Sequence, residues 1–331
     1  MTSSVYEKDG SQMRKFWIIS ALALLIGLSA VIAQKINTTS PIKESQEVSA
    51  ISSADKKEAS PRQKQENKVL RIGATPGEDV AKISSRYQIF LKFLEKKLGY
   101  KVELFASTDY ASVIEAMRAK KIDVAIFGPL SYVLAASIAD AEAFASDYKK
   151  NTGSFYKAYI IVHPDSGIEN VTQLKGKKFA FVDPASTGGY MIPKLEMLNM
   201  GMDPDKDFSS VIFAGGHDAC ALAVKNKSVD GAAVVAHMYD KMIEEKLISE
   251  KDVKIIYTTR KFPGGAWAYR RSLDNESKMK IKEIMLGLSD EEKKELKDFL
   301  GSSIKWAEVK DSDYDSLREA AKKLHIDLEA Q

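Results

Sequence analysis

Tyr110–Tyr132 reads YASVIEAMRAKKIDVAIFGPLSY, and His217–Tyr239 reads HDACALAVKNKSVDGAAVVAHMY. Each begins with apolar residues at helical spacing and reaches an acid, Asp123 or Asp230, at the head of a short apolar run. Each ends on a second helix whose tyrosine, Tyr132 or Tyr239, stands at the same offset from that acid. A near-continuous apolar run between helices suits a strand covered on both faces, and strands alternating with helices imply parallel pairing. The two copies are too few and too far apart for a solenoid, so they predict two similar lobes. Tyr110 and His217 then occupy equivalent places at the heads of helices, from which both can look into a cleft.

The same grammar surrounds both copies. Val69–Ala74 and Lys101–Phe105 are expected strands around a helix at Arg86–Leu98 that Gly99 stops. Ala158–Val162, Lys178–Val182 and Val211–Phe213 are expected strands before the second copy, with a helix at Tyr190–Met200. After a strand at Lys254–Thr258 and a loop at Lys261–Ala266, the pattern predicts helices over Glu276–Leu286, Ser289–Leu300 and Tyr314–Leu324. A helical tail packing back on the first lobe makes that lobe discontinuous. The expected fold class is α/β and two-lobed, each lobe a mostly parallel sheet flanked by helices, with a cleft between. The expected boundaries are 69–157 plus 263–331 for lobe 1 and 158–262 for lobe 2. Closure is expected to hinge near Tyr156–Val162 and Thr258–Phe262.

Ahead of the lobes, Arg14 and Lys15 precede an apolar run, Phe16–Ala33, in the order of a secretory leader. Val31 and Ala33 fit the small-residue positions of a cleavage site, and the run is also long enough for an uncleaved anchor. Residues 1–33 are therefore read as a signal peptide or signal anchor. Residues 34–68, rich in Ser, Lys, Glu and Gln without periodicity, are read as a disordered polar tether.

Composition narrows the function classes. The 331 residues are 44% hydrophobic, enough for two cores, and the formal net charge of +3 offers no field for holding nucleic acid. The single cysteine, Cys220, excludes an intrachain disulfide, a C-x-x-C pair and a cysteine-based zinc site. No G-x-S-x-G, H-E-x-x-H, G-x-G-x-x-G or P-loop lysine motif occurs, so neither a catalytic residue nor a cofactor is assigned, and no enzyme activity is expected.

What remains points to anion binding. DPASTGGY at Asp183–Tyr190 follows a strand and opens a helix, with Ser186 or Thr187 as N-cap and Gly188 letting the backbone approach a ligand. AGGHD at Ala214–Asp218 repeats the turn with His217 at the helix head, and GPLSY at Gly128–Tyr132 offers Ser131 as a cap. Turns at the carboxyl ends of neighbouring strands are where ligands bind in open α/β sheets. Tyr110 and Tyr156 can add hydroxyl donors.

These residues resemble a known family: the periplasmic phosphonate, phosphite and phosphate binding proteins of ABC importers, the PhnD-like group with the type II periplasmic-binding fold. The carriers are TDYASVIEAMRAKKIDVAIFGPLSY, DSGIENVTQLKGK, DPASTGGYMIP, AGGHDACALAVKNKSVDGAA and FPGGAWAYR. The resemblance implies an exported, periplasmic solute-binding protein that delivers a small phosphorus oxyanion to an inner-membrane ABC permease. A membrane-anchored sensing domain of the same fold is the alternative. It further implies a site lined by Tyr110, Tyr156, Ser186, Thr187 and His217, with Gly188 where the family has a serine. His237 and Gly265 stand where relatives that take aminoalkylphosphonates place acids. Oxyanions without a cationic tail are therefore expected to bind better than 2-aminoethylphosphonate.

Overall fold

The computed structural model describes residues 68–329; the leader and most of the tether lie outside them. Chain order in the first part is β1 (Val69–Ala74), α1 (Val80–Leu98), β2 (Lys101–Ala106), α2 (Tyr110–Arg118), β3 (Val124–Phe127), α3 (Pro129–Ile138), β4 (Ala141–Tyr148) and β5 (Phe155–Tyr156). The middle part holds β6 (Ala158–Val162), β7 (Lys178–Phe181), a π-helical turn over Thr187–Met191, α4 (Ile192–Asn199), α5 (Pro204–Asp207), β8 (Ser210–Phe213), α6 (His217–Lys225), β9 (Gly231–Val235), α7 (Ala236–Glu244) and β10 (Lys254–Thr258). The last part comprises β11 (Phe262–Pro263), β12 (Ala266–Arg270), α8 (Asn275–Leu286), α9 (Asp290–Glu295), α10 (Lys297–Leu300), β13 (Lys305–Glu308) and α11 (Asp315–Lys323).

Two large sheets result. The first runs β13-β4-β12-β3-β1-β2 and the second β10-β6-β9-β7-β8. The expected parallel ladders form where a helix makes the crossover: β1 with β2 and β3, and β7 with β8 and β9. "Mostly parallel" needs correction, because β12 pairs antiparallel with β3 and β4, β13 with β4, and β6 with β9 and β10. A strand that enters a sheet directly from the other half, without a helical crossover, has no constraint to parallel pairing.

The internal echo is conserved in backbone geometry. Asp123 donates its N–H to the Arg71 carbonyl, and its carboxylate accepts the Arg71 N–H at 2.9 Å. Asp230 does the same to Lys178, at 2.8 Å for the carboxylate bond. Lys120 and Lys227, at matching places after α2 and α6, both adopt the left-handed conformation, with φ of 57° and 56°. Each acid thus pins the strand that follows its helix to the neighbouring strand.

The tail contributes more strand than its sequence announces, since β12 and β13 complete the first sheet. Phe299 stacks on Phe90 of α1 at 4.4 Å and 4°, and Trp267 and Trp306 pack against the same ring. Burial of such side chains stabilises by about 1.5 to 3 kcal/mol each, which is what docks the tail onto the first sheet. The predicted helix at Ser289–Leu300 breaks into α9 and α10 at Leu296, which is fully buried.

The chain passes between the sheets twice, through β5 to β6 and through β10 to β11. The two passages are tied to each other: β5 pairs antiparallel with β11, and Ala158 N–H donates to the Thr259 hydroxyl at 2.9 Å while Thr259 N–H donates to the Ala158 carbonyl at 2.9 Å.

Candidate functional site

A cavity of about 940 Å³ lies between the two sheets, and the heads of α2, α3 and α6 and the π turn contribute to its wall. Tyr110 is the first residue of α2 and His217 the first of α6, as their equivalence in sequence predicts. Tyr110, Tyr156, Ser186, Thr187, Gly188, His217 and His237 all line this cavity. Ser131 does not: it is fully buried, and its hydroxyl donates to the Gly128 carbonyl at 2.9 Å. Nor does it cap α3, whose N-cap is Gly128 without a side-chain bond. Ser131 is the third residue of α3, inside its first turn, so its hydroxyl reaches the carbonyl behind it rather than a free N–H ahead.

The DPASTGGY segment forms a π turn rather than the first turn of an α-helix. Met191 N–H donates to the Ser186 carbonyl at 3.0 Å, and the Ser186 hydroxyl accepts the Gly189 N–H at 3.1 Å. The widened turn leaves the N–H groups of Thr187 and Gly188 without a hydrogen-bond partner among the described residues, although both residues are buried. Buried N–H groups are nearly always paired, so two adjacent free ones at a helix head are able to take an anion. Single π turns are frequent at functional sites. The two glycines have different reasons to be there. A Cβ on Gly189 would sit 2.3 Å from Val182 Cγ2, which close packing forbids. A Cβ on Gly188 would meet Val235 at 3.1 Å and Phe262 at 3.2 Å, so the space for a serine is filled by these neighbours.

Hydroxyl and ring donors join these N–H groups. The Leu130 N–H donates to Thr187 Oγ1 at 2.7 Å, so the Thr187 hydroxyl hydrogen remains free to point at a ligand. The Tyr110 hydroxyl lies beside that of Ser186, and burial holds its pKa above the ordinary tyrosine value. His217 Nδ1 accepts the Val235 N–H at 3.1 Å, which leaves Nε2 to carry the ring hydrogen. Burial lowers the His217 pKa to about 3, so the ring is a neutral donor near neutrality. His237 packs against the Tyr156 ring at 4.4 Å; burial, then Lys149 and the cations Arg86 and Lys241, hold it well below the usual histidine range.

His217 makes a pH dependence predictable. Its folded pKa is depressed below the unfolded value of 6.5, so its stabilising contribution is present above pH 6.5 and is lost as pH falls toward 3. Thermal midpoints are expected to fall between pH 6.5 and pH 5, less steeply in His217→Gln. Parallel pH profiles for the two proteins would refute this.

The cavity also gathers residues that sequence reading passed over. Asp147 and Lys149, at the end of β4 and just beyond it, line it, as do Arg86, Trp306 and Lys241. Trp306 Nε1 donates to the Asp147 carboxylate at 2.9 Å, and burial raises the Asp147 pKa. The segment Gly77–Asp79 clasps the opposite side. Glu78, 5% exposed, takes Arg86 at 2.9 Å and Lys241 of α7 at 2.7 Å. Asp79 N–H donates to Asp218 at 3.1 Å, and His217 N–H to the Gly77 carbonyl at 3.1 Å. The Asp218 carboxylate is thereby committed to this clasp. Gly265 cannot be exchanged for an acid on this backbone, because a Cβ there would lie 2.7 Å from the Phe127 carbonyl oxygen.

The family model of the periplasmic substrate-binding protein of phosphonate ABC transporters matches residues 72–314, which span both sheets and the whole cavity wall. The chain belongs to this family. It is 32% identical over 235 residues to the phosphonates-binding periplasmic protein of Escherichia coli, covering 69% of each chain. It is 34% identical over 227 residues to the phosphate-import protein PhnD of Mycolicibacterium smegmatis, covering 64% of this chain and 70% of that one. A crystal structure of a binding protein component of an ABC phosphonate transporter from Pseudomonas aeruginosa superposes with a TM-score of 0.71 at 28% identity, over 76% of this chain and 85% of that chain. The fold is the type II periplasmic-binding fold, and the family is one of periplasmic transport proteins.

Proposed function

We propose that this family member captures a tetrahedral phosphorus oxyanion (phosphate, phosphite or a phosphonate) in the cavity, with Thr187, Gly188, Ser186, Tyr110 and His217 as its donors, and delivers it to an ABC permease in the inner membrane. The observation that carries this is the pair of buried N–H groups of Thr187 and Gly188, unpartnered among the described residues and lining the cavity. A helix head supplies about half a positive charge, and neutral donors hold an oxyanion without titrating near neutrality. The names of the relatives point to the same ligand class.

Residues 69–157 with 263–331, and 158–262, are proposed to act as two bodies that close over the ligand. The paired passages β5 with β11, and Ala158 with Thr259, are the hinge. The Leu130 to Thr187 bond and the Glu78 to Lys241 pair then form only on closure. The Phe16–Ala33 run is proposed as the export signal, cleaved after Ala33 or retained as an anchor.

Calorimetric titration of the purified protein with phosphate, phosphite and methylphosphonate tests the ligand class, with measurable binding of at least one expected; no heat from any of the three would overturn it. Small-angle scattering before and after saturation is expected to show a smaller radius of gyration with ligand. Identical radii would refute closure.

A further inference from the structure

Five charged side chains of alternating sign run from one half of the molecule to the other. Arg86 of α1 meets Glu78 at 2.9 Å, Glu78 meets Lys241 of α7 at 2.7 Å, Lys241 meets Glu245 at 3.5 Å, and Glu245 meets Lys82 of α1 at 3.7 Å. Arg86, Glu78 and Lys82 belong to residues 69–157, and Lys241 and Glu245 to residues 158–262, so the row crosses between the halves twice. The crossings are unequal. The Lys82 and Glu245 side chains are 44% and 41% exposed, and pairs of that kind contribute little. The Glu78 side chain is 3% exposed and receives the Lys241 ammonium on both carboxylate oxygens, at 2.9 and 2.7 Å, so its charge is answered by cations rather than by water.

Two main-chain bonds brace the stronger crossing. The residues on either side of Glu78 are tied to the head of α6, Asp79 through its N–H to the Asp218 carboxylate and Gly77 through its carbonyl to the His217 N–H, both at 3.1 Å. Of the proposed oxyanion donors only His217 takes part, through its main chain and not its ring. Each charge at the crossing also has a partner within its own half, Arg86 for Glu78 and Glu245 for Lys241. A buried pair whose members have no other partner resists separation, because parting them strands a charge. Here neither charge is stranded when the halves part, so the crossing is able to break and re-form. None of these residues lies in the passages β5 to β6 or β10 to β11.

We propose that Glu78 and Lys241, braced by the bonds of Gly77 and Asp79 to α6, form a reversible charge latch that favours the closed arrangement without touching the ligand, and so sets how firmly any captured oxyanion is retained. The proposal rests on the reading of two bodies that close over the ligand. A bond present only in the closed arrangement raises the population of that arrangement whether or not a ligand is bound. The apparent dissociation constant is that of the closed form divided by the fraction closed, so a change in the latch shifts the affinity for every ligand by one common factor. Lys241 is on this account a positioning residue that acts through closure, not a contact of the oxyanion.

Spin labels attached through Lys96→Cys and Glu250→Cys, exposed positions in opposite halves, report the distance between them, and the native Cys220 is buried away from the label. Without ligand, Lys241→Met is expected to lose population at the distance of the closed arrangement, and Lys241→Arg, which keeps charge and reach, to retain it. In calorimetric titrations with phosphate, phosphite and methylphosphonate, Lys241→Met is expected to raise the dissociation constant of each ligand that binds by one common factor of about five, and Lys241→Arg to stay within about twofold of the unaltered protein. Identical ligand-free distance distributions in the unaltered protein and Lys241→Met would overturn the latch. A loss of affinity that differs between ligands would overturn it too, by making Lys241 a direct contact. Failure of all three ligands to bind would instead overturn the oxyanion reading, and the ligand-free distances would still decide the latch.

Discussion

Thr187→Ala is expected to weaken oxyanion binding by about 3 kcal/mol, on the order of 100-fold in the dissociation constant. Two losses coincide at this side chain. Thr187 Oγ1 accepts the N–H of the fully buried Leu130 at 2.7 Å, and its hydroxyl hydrogen is left for the ligand. Removing it deletes a donor to a charged group, worth about 1.5 to 3 kcal/mol, and orphans a buried N–H, which costs about 1 to 3 kcal/mol. The second loss falls on the closed form, because Leu130 and Thr187 belong to opposite halves. Thr187→Ser retains both bonds and is expected to stay within a few-fold of the unaltered protein. Calorimetry decides it, and an unchanged dissociation constant in Thr187→Ala would move the anion away from the π turn.

Asp123→Ala is expected to destabilise the fold by about 3 to 5 kcal/mol, against about 1 kcal/mol for Asp230→Ala. The two acids occupy equivalent places and make the same backbone bonds, to Arg71 and to Lys178. Their surroundings differ. Asp123 is 6% exposed and also receives Arg270 through Nε at 3.1 Å and a terminal nitrogen at 2.9 Å, whereas among the described residues the Asp230 carboxylate takes only the Lys178 N–H and is more open to solvent. Removing Asp123 leaves a largely enclosed guanidinium without its counter-charge. Urea unfolding of the two variants measures the difference, and equal losses would show that the backbone bond alone accounts for the effect.

The helix heads that line the cavity were legible because their signals are local. A strand end, a small-residue turn and a helix head follow one another within a few residues, so DPASTGGY and AGGHD announced themselves without reference to the rest of the chain. Tyr110, Ser186, Thr187, Gly188 and His217 converge on one cavity for that reason. Ser131 misled because a serine at a helix head resembles a cap, while the helix starts earlier, at Pro129, so that Ser131 stands inside its first turn and bonds back to the Gly128 carbonyl. The cavity wall at the end of β4 was not legible. Asp147 and Lys149 follow AEAFAS, an alanine-rich stretch with little intrinsic strand preference, and nothing beside them in the chain marks them as lining the cavity.

By itself, the sequence determined the repeated helix–strand–helix unit, the acids that pin its strands and the helix heads that line the cavity, since apolar periodicity, capping and turn chemistry act over a few residues. Only the tertiary structure decided that β4, β12 and β13 are strands, that most pairings outside the crossover units run antiparallel, and that Asp147 and Lys241 share a cavity. β4 is a strand because β12 and β13 bond it from both sides, and residues of both sheets line one cavity because the chain passes twice between them. Such relations join residues far apart in sequence, and a ladder bond or a shared cavity leaves no period in either partner alone.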